Sequence, residues 1–279
     1  MPRMVLGLVR ASHPEPAAAV TTVAALLAWG VGHRPGGILA VAATVLASQL
    51  AIGWVNDRLD ADRDTAVGRT DKPLVTGAVG RRTVGLAGVI AAAVTPLPAL
   101  TLNPVAALAA TVALLSALAY DWPLKSTPVS VLPYAVSFAT LPAFVVLALP
   151  GVPTPPAWLP LAGGLLGAGA HFANVLPDLD DDRRTGVRGL PHRLGAGRSR
   201  TAAGVLLLAA TVVLVVGPPG PPSWAGLAAV VAAAVVLPVG WRAARSTGGR
   251  AARPVAAFRA VMLVAVIDVA LLVASGRVV

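Results

Sequence analysis

The 279-residue chain is 56% hydrophobic, has a mean hydropathy of +0.78 and carries a formal net charge of +10. It is more apolar than a soluble domain of its size, which indicates an integral membrane protein. Its basic residues lie in short loops between apolar runs rather than in a patch with interleaved aromatic residues, which argues against a nucleic-acid partner. Cysteine is absent, which excludes a disulfide framework and a thiolate metal site.

Apolar stretches long enough to cross a bilayer recur nine times along the chain. They cover approximately 17–32, 37–56, 82–100, 103–120, 129–149, 157–177, 200–217, 223–241 and 255–275. We therefore expect an all-α integral membrane protein of nine transmembrane helices, forming one domain over 1–279.

The loops between these stretches differ sharply in charge. Lys and Arg concentrate at the N-terminus and in 57–82, 121–128, 178–200 and 242–254, whereas 96–102, 150–156 and 218–222 contain none. Cytoplasmic loops of membrane proteins carry an excess of basic residues. The pattern predicts a multi-pass protein of the cell membrane with its N-terminus and the loops at 57–82 and 178–200 in the cytoplasm; only Arg34 departs from it.

Two stretches that follow apolar runs share the pattern N-x-x-x-D-x-x-x-D. The first consists of Asn56, Asp60 and Asp64, and the second of Asn174, Asp178 and Asp182. If each stretch is helical, its three oxygen-bearing side chains lie on one helix face, because residues four apart are neighbours there. Each stretch is therefore a candidate site.

The two motifs belong to an internal repeat at an offset of 118 residues, with ten identities in the 28 positions from 56 to 83. The repeat divides the chain into halves of about 17–120 and 129–241, followed by a ninth helix at about 255–275. Each half contains four predicted spans, an even number, so the halves have the same orientation. Both acidic motifs should then meet at one membrane face.

Two facing carboxylate sets suit Mg²⁺, which prefers oxygen ligands and commonly binds through carboxylates and substrate phosphates. Basic residues interleaved with the acids would neutralise a diphosphate. They are Arg58, Arg63, Arg69, Lys72, Arg183, Arg184, Arg188 and Arg193. The apolar helices behind this charged end would hold a long apolar tail.

These motifs resemble those of the UbiA superfamily of intramembrane prenyltransferases. Asn56-Asp57-x-x-Asp60-x-x-x-Asp64 with the segment 67–74 (VGRTDKPL) is similar to the family's first motif, and Asp178-x-x-x-Asp182 to its second. The segment 120–125 (YDWPLK) resembles the Tyr and Lys segment between its fourth and fifth helices. The five-residue spacing of Tyr and Lys is closer to the branch that makes chlorophyll, tocopherol and menaquinone precursors.

The resemblance implies Mg²⁺-dependent transfer of a prenyl group from a prenyl diphosphate to an acceptor, which we expect to be aromatic or a quinone precursor. The implied Mg²⁺ ligands are Asp60, Asp64, Asp178, Asp182 and Asn56. The implied catalytic residues are those four aspartates with Tyr120, whose ring would face the allylic cation, and Lys125. The expected substrate-binding residues are Asn56, Asp57, Arg69, Lys72, Asn174 and Arg188.

Two alternatives to a transferase remain at this stage. A terpene cyclase of the same superfamily would use the same ionisation site, and a transporter could be built on parallel repeats, although its site would lie at the midplane. Apart from membrane lipid and the two substrates, the sequence indicates no partner. His192 is either an acid or base near the acceptor or a solvated loop residue, Tyr120 could instead anchor a helix at the interface, and Asp268 stays outside the proposed site.

Overall fold

The computed structural model describes residues 2–246 together with 263, 265–267, 269–270 and 272–273. Over 2–246 it forms eleven α-helices and one 3₁₀ turn. They are α1 (Pro2–Ala11), α2 (Pro14–Gly30), α3 (Pro35–Ala66), α4 (Arg81–Val94), α5 (Pro96–Leu100), α6 (Pro104–Asp121), the 3₁₀ turn Leu124–Ser126, α7 (Val131–Leu147), α8 (Trp158–Val175), α9 (Leu179–Arg184), α10 (Leu190–Val216) and α11 (Trp224–Ser246).

The all-α membrane architecture is confirmed. Four helical segments of the described chain are long and apolar enough to cross a membrane: Pro35–Ala66, Arg81–Leu100, Pro104–Asp121 and Leu190–Val216. Val131–Leu147 and Trp224–Val235 are shorter apolar helices. The count of nine spans stays a prediction. Most of the ninth, with Asp268, lies outside the described residues, and those described between 263 and 273 are helical.

Helix α3 places the first acidic motif. Its 32 residues extend for about 48 Å at 1.5 Å per residue, whereas the hydrocarbon core of a bilayer is about 30 Å thick. A helix of this length projects beyond the apolar layer, and the motif occupies the projecting end. Asn56, Asp60 and Asp64 therefore lie on one continuous helix, as predicted.

The second motif differs from the prediction. Helix α8 ends at Val175 and α9 begins at Leu179, with Asp178 at its N-terminal boundary, so Asn174, Asp178 and Asp182 do not share the face of one continuous helix. Pro177 explains the break, because proline lacks the backbone N–H and its ring crowds the preceding turn. The first half has Leu59 at the equivalent repeat position.

The loops that follow the two motifs have matching backbones. Gly68 and Gly186, which are 118 residues apart, have φ angles of 71° and 86°, and Gly77 and Gly195 have 71° and 79°. This left-handed region favours glycine because it lacks a Cβ atom. The conformational match supports the internal repeat.

The helices nearest the site form a ring. Helix α2 packs on α3, α3 on α6, α6 on α7, and α7 returns to α2, while α8 lies against α7 and α10 against α8. The largest buried core joins α2, α3, α6, α7 and α8 around Phe144, Val41 and Val45. The ring leaves a cavity at its centre.

Candidate active site

The cavity has a volume of about 340 Å³. Ten of the twelve predicted site residues line it: Asn56, Asp60, Asp64, Arg69, Lys72, Tyr120, Lys125, Asn174, Asp178 and Asp182. Asp57 and Arg188 are not among the described residues that line the cavity. Arg188 is exposed, and its carbonyl accepts a hydrogen bond from Arg193 Nε at 3.1 Å.

Asp60 is the most heavily paired carboxylate at the mouth of the cavity. Lys125 Nζ donates to both of its oxygens, at 2.8 Å to Oδ1 and 2.5 Å to Oδ2. An Arg63 guanidinium nitrogen donates to Oδ2 at 2.6 Å, and Asn56 Nδ2 donates to the same oxygen at 3.3 Å. Two cations therefore hold this acid.

Two arginines bring the motifs together. Besides its bond to Asp60, Arg63 lies 3.6 Å from Asp182 Oδ1, and Arg69 lies 3.9 Å from Asp178 Oδ1. The first and second acidic motifs thus face each other across one opening, as the parallel orientation of the halves predicts.

Arg69 is held in a fixed orientation by its neighbour Asp71. Its Nε and one terminal nitrogen donate to the two Asp71 oxygens at 2.9 and 3.0 Å. This bidentate bond raises the pKa of Arg69 and lowers that of Asp71.

In the second acidic motif, burial raises the pKa of Asp178. The neighbouring carboxylates of Asp182 and Asp181 raise it further, while the positive charge of Arg69 lowers it.

Lys72 is tied to the first motif through Asp57, a carboxylate that is only 2% exposed. Lys72 Nζ donates to Asp57 Oδ1 at 2.5 Å, and His13 Nε2 lies 2.8 Å from the same oxygen. Gly53 permits this approach, since a Cβ there would lie 2.5 Å from the Ser12 carbonyl oxygen. Asp57 therefore positions a cavity-lining lysine.

His192 is buried, and its Nε2 lies 3.1 Å from Asp182 Oδ2. The interpretation of His192 as a solvated loop residue is therefore wrong. Its contact places it directly behind an acid of the second motif.

An aromatic group forms the cavity wall below the charged mouth. Tyr120 and Tyr134 pack edge to face with ring centroids 4.8 Å apart, and Tyr134 stacks on Phe138 at 6.2 Å. Asn174 Nδ2 donates to the Tyr134 hydroxyl at 3.3 Å. Tyr120 is 8% exposed, so it lies inside the protein rather than anchoring a helix end at the interface.

Three residues at the site were not assigned from the sequence: His13, Asp121 and Tyr134, which all line the cavity. Asp121 lies within the YDWPLK segment, and an acid at the end of an apolar helix is a signal that the sequence itself carries. His13 is 44 residues from its partner Asp57 and carried no such signal.

The donor set fits a hard divalent cation. Asp60, Asp64, Asp178 and Asp182 present carboxylate oxygens to one cavity, and oxygen is the donor that Mg²⁺ prefers. Within the described part of the chain, no three acidic or histidine side chains are already gathered as a metal cluster. These four acids would hold such a metal.

Comparison with known proteins bears on the site as a whole. The family model described as the UbiA prenyltransferase family matches residues 17–264. The chain belongs to this family. It is thus an intramembrane prenyltransferase by family.

Individual UbiA relatives agree in sequence and in fold. A digeranylgeranylglyceryl phosphate synthase of Methanopyrus kandleri is 31% identical over 214 residues, which are 76% of this chain and 77% of the relative. A UbiA homologue from Aeropyrum pernix, solved in its apo form, is 21% identical with a TM-score of 0.74 over 94% of this chain and 96% of its own. A homologue from Archaeoglobus fulgidus, bound to GPP and Mg²⁺, is 16% identical with a TM-score of 0.70 over 97% and 98%.

Proposed function

We propose that the protein transfers a prenyl group from a prenyl diphosphate to a small-molecule acceptor in a reaction that requires Mg²⁺. The observation that carries the proposal is the meeting of the two acidic motifs, through Arg63 and Arg69, above an apolar cavity inside the helix ring. The Archaeoglobus homologue that shares the fold is bound to Mg²⁺ with GPP in one structure and with DMAPP in another.

Asp60, Asp64, Asp178 and Asp182 would hold the metal, with Asn56 beside them. When bound, Mg²⁺ neutralises the negative charge that develops on the leaving diphosphate. Arg69, Lys72 and Lys125 all line this cavity and would bind phosphate oxygens. Lys125 and Arg63 are the cations released from Asp60 in this exchange, so the counter-charge is already present at the site.

The chain's own residues then shape the reaction below the diphosphate. Tyr120 lines the cavity, and its ring face would attract the allylic cation. The surrounding wall of Tyr134, Phe138 and Leu141 excludes water, which would otherwise capture the cation. The allylic C–O bond would break with its electron pair leaving on the diphosphate, and the acceptor would attack the resulting cation and give up a proton to the released diphosphate.

The length of the cavity indicates the length of the prenyl chain. Thr44 and Asn56 both line it from α3, and twelve helical residues separate them by about 18 Å. A peptide residue contributes three backbone bonds to about 3.3–3.6 Å of extended chain, so the four bonds of an isoprene unit extend for about 4.6 Å. We propose a chain of about four units, ending against Phe144, which is 1% exposed.

Two acceptor classes are candidates. The aromatic wall of Tyr120, Tyr134 and Phe138 favours an aromatic or quinone-precursor acceptor, which would stack on it. The Methanopyrus relative, whose name is that of a digeranylgeranylglyceryl phosphate synthase, favours a glyceryl phosphate acceptor instead.

The decisive experiment incubates the purified protein in nanodiscs with prenyl diphosphates of two to six units and either acceptor class, read by mass spectrometry. We expect a prenylated acceptor only when Mg²⁺ is present, and loss of most activity in Asp60→Ala and in Asp178→Ala. Near-normal turnover in both variants would refute the metal assignment. Diphosphate release with a cyclic hydrocarbon and no use of acceptor would identify a cyclase.

The proposed orientation places the charged mouth in the cytoplasm. Because the chain contains no cysteine, single cysteines report accessibility without interference. We expect Thr154→Cys to react with an impermeant maleimide from outside intact cells and Arg184→Cys to react only after lysis. The reverse pattern would overturn the orientation.

A further inference from the structure

Asp121 occupies a position that is unfavourable for stability. It is the last residue of α6, where the negative end of the helix dipole repels an anion. Its Oδ2 is buried and makes no hydrogen bond within the described part of the chain, and burying an unpaired carboxylate oxygen costs free energy. Stability does not account for this aspartate, and its side chain makes one hydrogen bond to the first acidic motif, from Asn56.

That bond determines the orientation of the Asn56 amide. Asn56 Nδ2 donates to Asp121 Oδ1 at 3.0 Å and to Asp60 Oδ2 at 3.3 Å. The nitrogen and not the oxygen of the amide therefore faces both acids. With its two N–H groups engaged, the planar amide directs its carbonyl oxygen Oδ1 away from them, and Asn56 lines the cavity.

We propose that Asp121 is a positioning residue that holds the Asn56 amide so that Oδ1 is presented to the metal. The inference rests on the proposed function, because the metal is the one that the proposed reaction requires. Without the Asp121 acceptor, only the longer hydrogen bond to Asp60 remains, and one hydrogen bond does not fix the rotation of the amide. Partners that orient a metal ligand typically contribute about 10–100-fold to metal affinity.

Two substitutions separate positioning from simple charge attraction. Asp121→Leu removes both the acceptor and the charge, whereas Asp121→Asn removes the charge but keeps an amide oxygen that Asn56 Nδ2 can use. If Asp121 acts by hydrogen bonding, Asn should largely rescue what Leu loses. Asp62→Leu is the matched control, since Asp62 belongs to the same acidic stretch but its side chain is 88% exposed and pairs with Arg81.

The experiment measures Mn²⁺ affinity by electron paramagnetic resonance on the full chain in nanodiscs, with inorganic pyrophosphate present. We expect Asp121→Leu to weaken Mn²⁺ binding about tenfold and Asp121→Asn by less than about threefold, with Asp62→Leu unchanged. In the Asn56→Ala background, Asp121→Leu should have no further effect, because the two residues act through one interaction. The melting temperature of the metal-free protein should not fall in Asp121→Leu, as it would if Asp121 were structural.

Equal losses in Asp121→Asn and Asp121→Leu, or full additivity with Asn56→Ala, would overturn the inference. If Asp121→Leu does not fold, Asp121→Ala takes its place in the same comparisons. Failure of the unmodified protein to bind Mn²⁺ with pyrophosphate would count against the proposed function itself. Normal binding that is unaffected by any Asp121 variant would sink only the positioning role.

Discussion

Lys125→Met should affect metal binding and turnover in opposite directions. In the structure Lys125 neutralises Asp60 through both carboxylate oxygens, so it competes with a metal for the same acid. In the proposed reaction the same ammonium group moves to the diphosphate. Removing it should therefore strengthen the binding of metal alone and weaken catalysis.

The geometry sets the size of the first effect. The two side chains are only 11% and 15% exposed, and a hydrogen bond to a charged group at such a site contributes about 1.5–3 kcal/mol. Arg63 still binds Oδ2 of Asp60 in the variant, so we use the lower end of that range. About 1.4 kcal/mol corresponds to a tenfold change in affinity, so Mn²⁺ should bind about tenfold more tightly.

The second effect follows from loss of a donor to the leaving group. Removing one preorganised donor of this kind typically lowers kcat by about 100- to 1,000-fold. Mn²⁺ titration without diphosphate and steady-state kinetics with prenyl diphosphate would measure the two effects separately. Arg81→Met, which breaks the exposed pair with Asp62, should change neither. Weaker metal binding in Lys125→Met, or unchanged turnover, would refute the competition.

Three further predictions concern single positions. The raised pKa of Asp178 means that its ionised form lowers the stability of the folded protein at neutral pH, so Asp178→Asn should raise the melting temperature of the metal-free protein. The gain should vanish as the pH falls toward about 3.9, where the carboxyl becomes protonated in both folded and unfolded states. A gain that does not depend on pH would show that ionisation of Asp178 is not its cause. Phe144→Ala should let the enzyme use a prenyl chain one unit longer while Leu161→Ala, at an exposed site, does not; an unchanged length preference in competition assays would show that Phe144 does not end the cavity. His192→Ala should lower activity at limiting Mg²⁺ more than at saturating Mg²⁺, since it removes the partner of Asp182; equal losses at both concentrations would exclude a role through that acid.

Hydropathy and spacing predicted the class of protein and the place of the first motif because both depend on local pattern. The apolar run before Asn56 continues as one helix into the motif, so a four-residue spacing was sufficient to place Asp60 and Asp64 on one face. The same reasoning failed at the second motif. Pro177 ends α8 there, and periodicity of the acids cannot outweigh a missing backbone donor.

Pairing between distant residues could not be read in the same way. Lys125 is 65 residues from Asp60, and His13 is 44 residues from Asp57. Their meeting depends on how α3, α6 and the α1–α2 junction pack, which the local pattern does not encode. The hydrogen bond of Asn56 to Asp121 likewise required the end of α6 to lie beside α3.

Because α3 is one continuous helix, it fixes the distance between the first acidic motif, where the diphosphate is proposed to bind, and Thr44, near the proposed end of the prenyl chain. A residue inserted between Thr44 and Asn56 would lengthen the interval by about 1.5 Å and rotate the whole first motif by about 100°, turning its three ligands away from the cavity together. The second half has no equivalent continuous helix, because the turn between Val175 and Leu179 separates its acids from α8. One alanine inserted in that turn should therefore be tolerated far better than one inserted in α3, and the relative activities of the two insertion variants measure the difference. We therefore expect the first motif to be the more rigid part of the candidate site and the second motif to adjust to substrates of different shape.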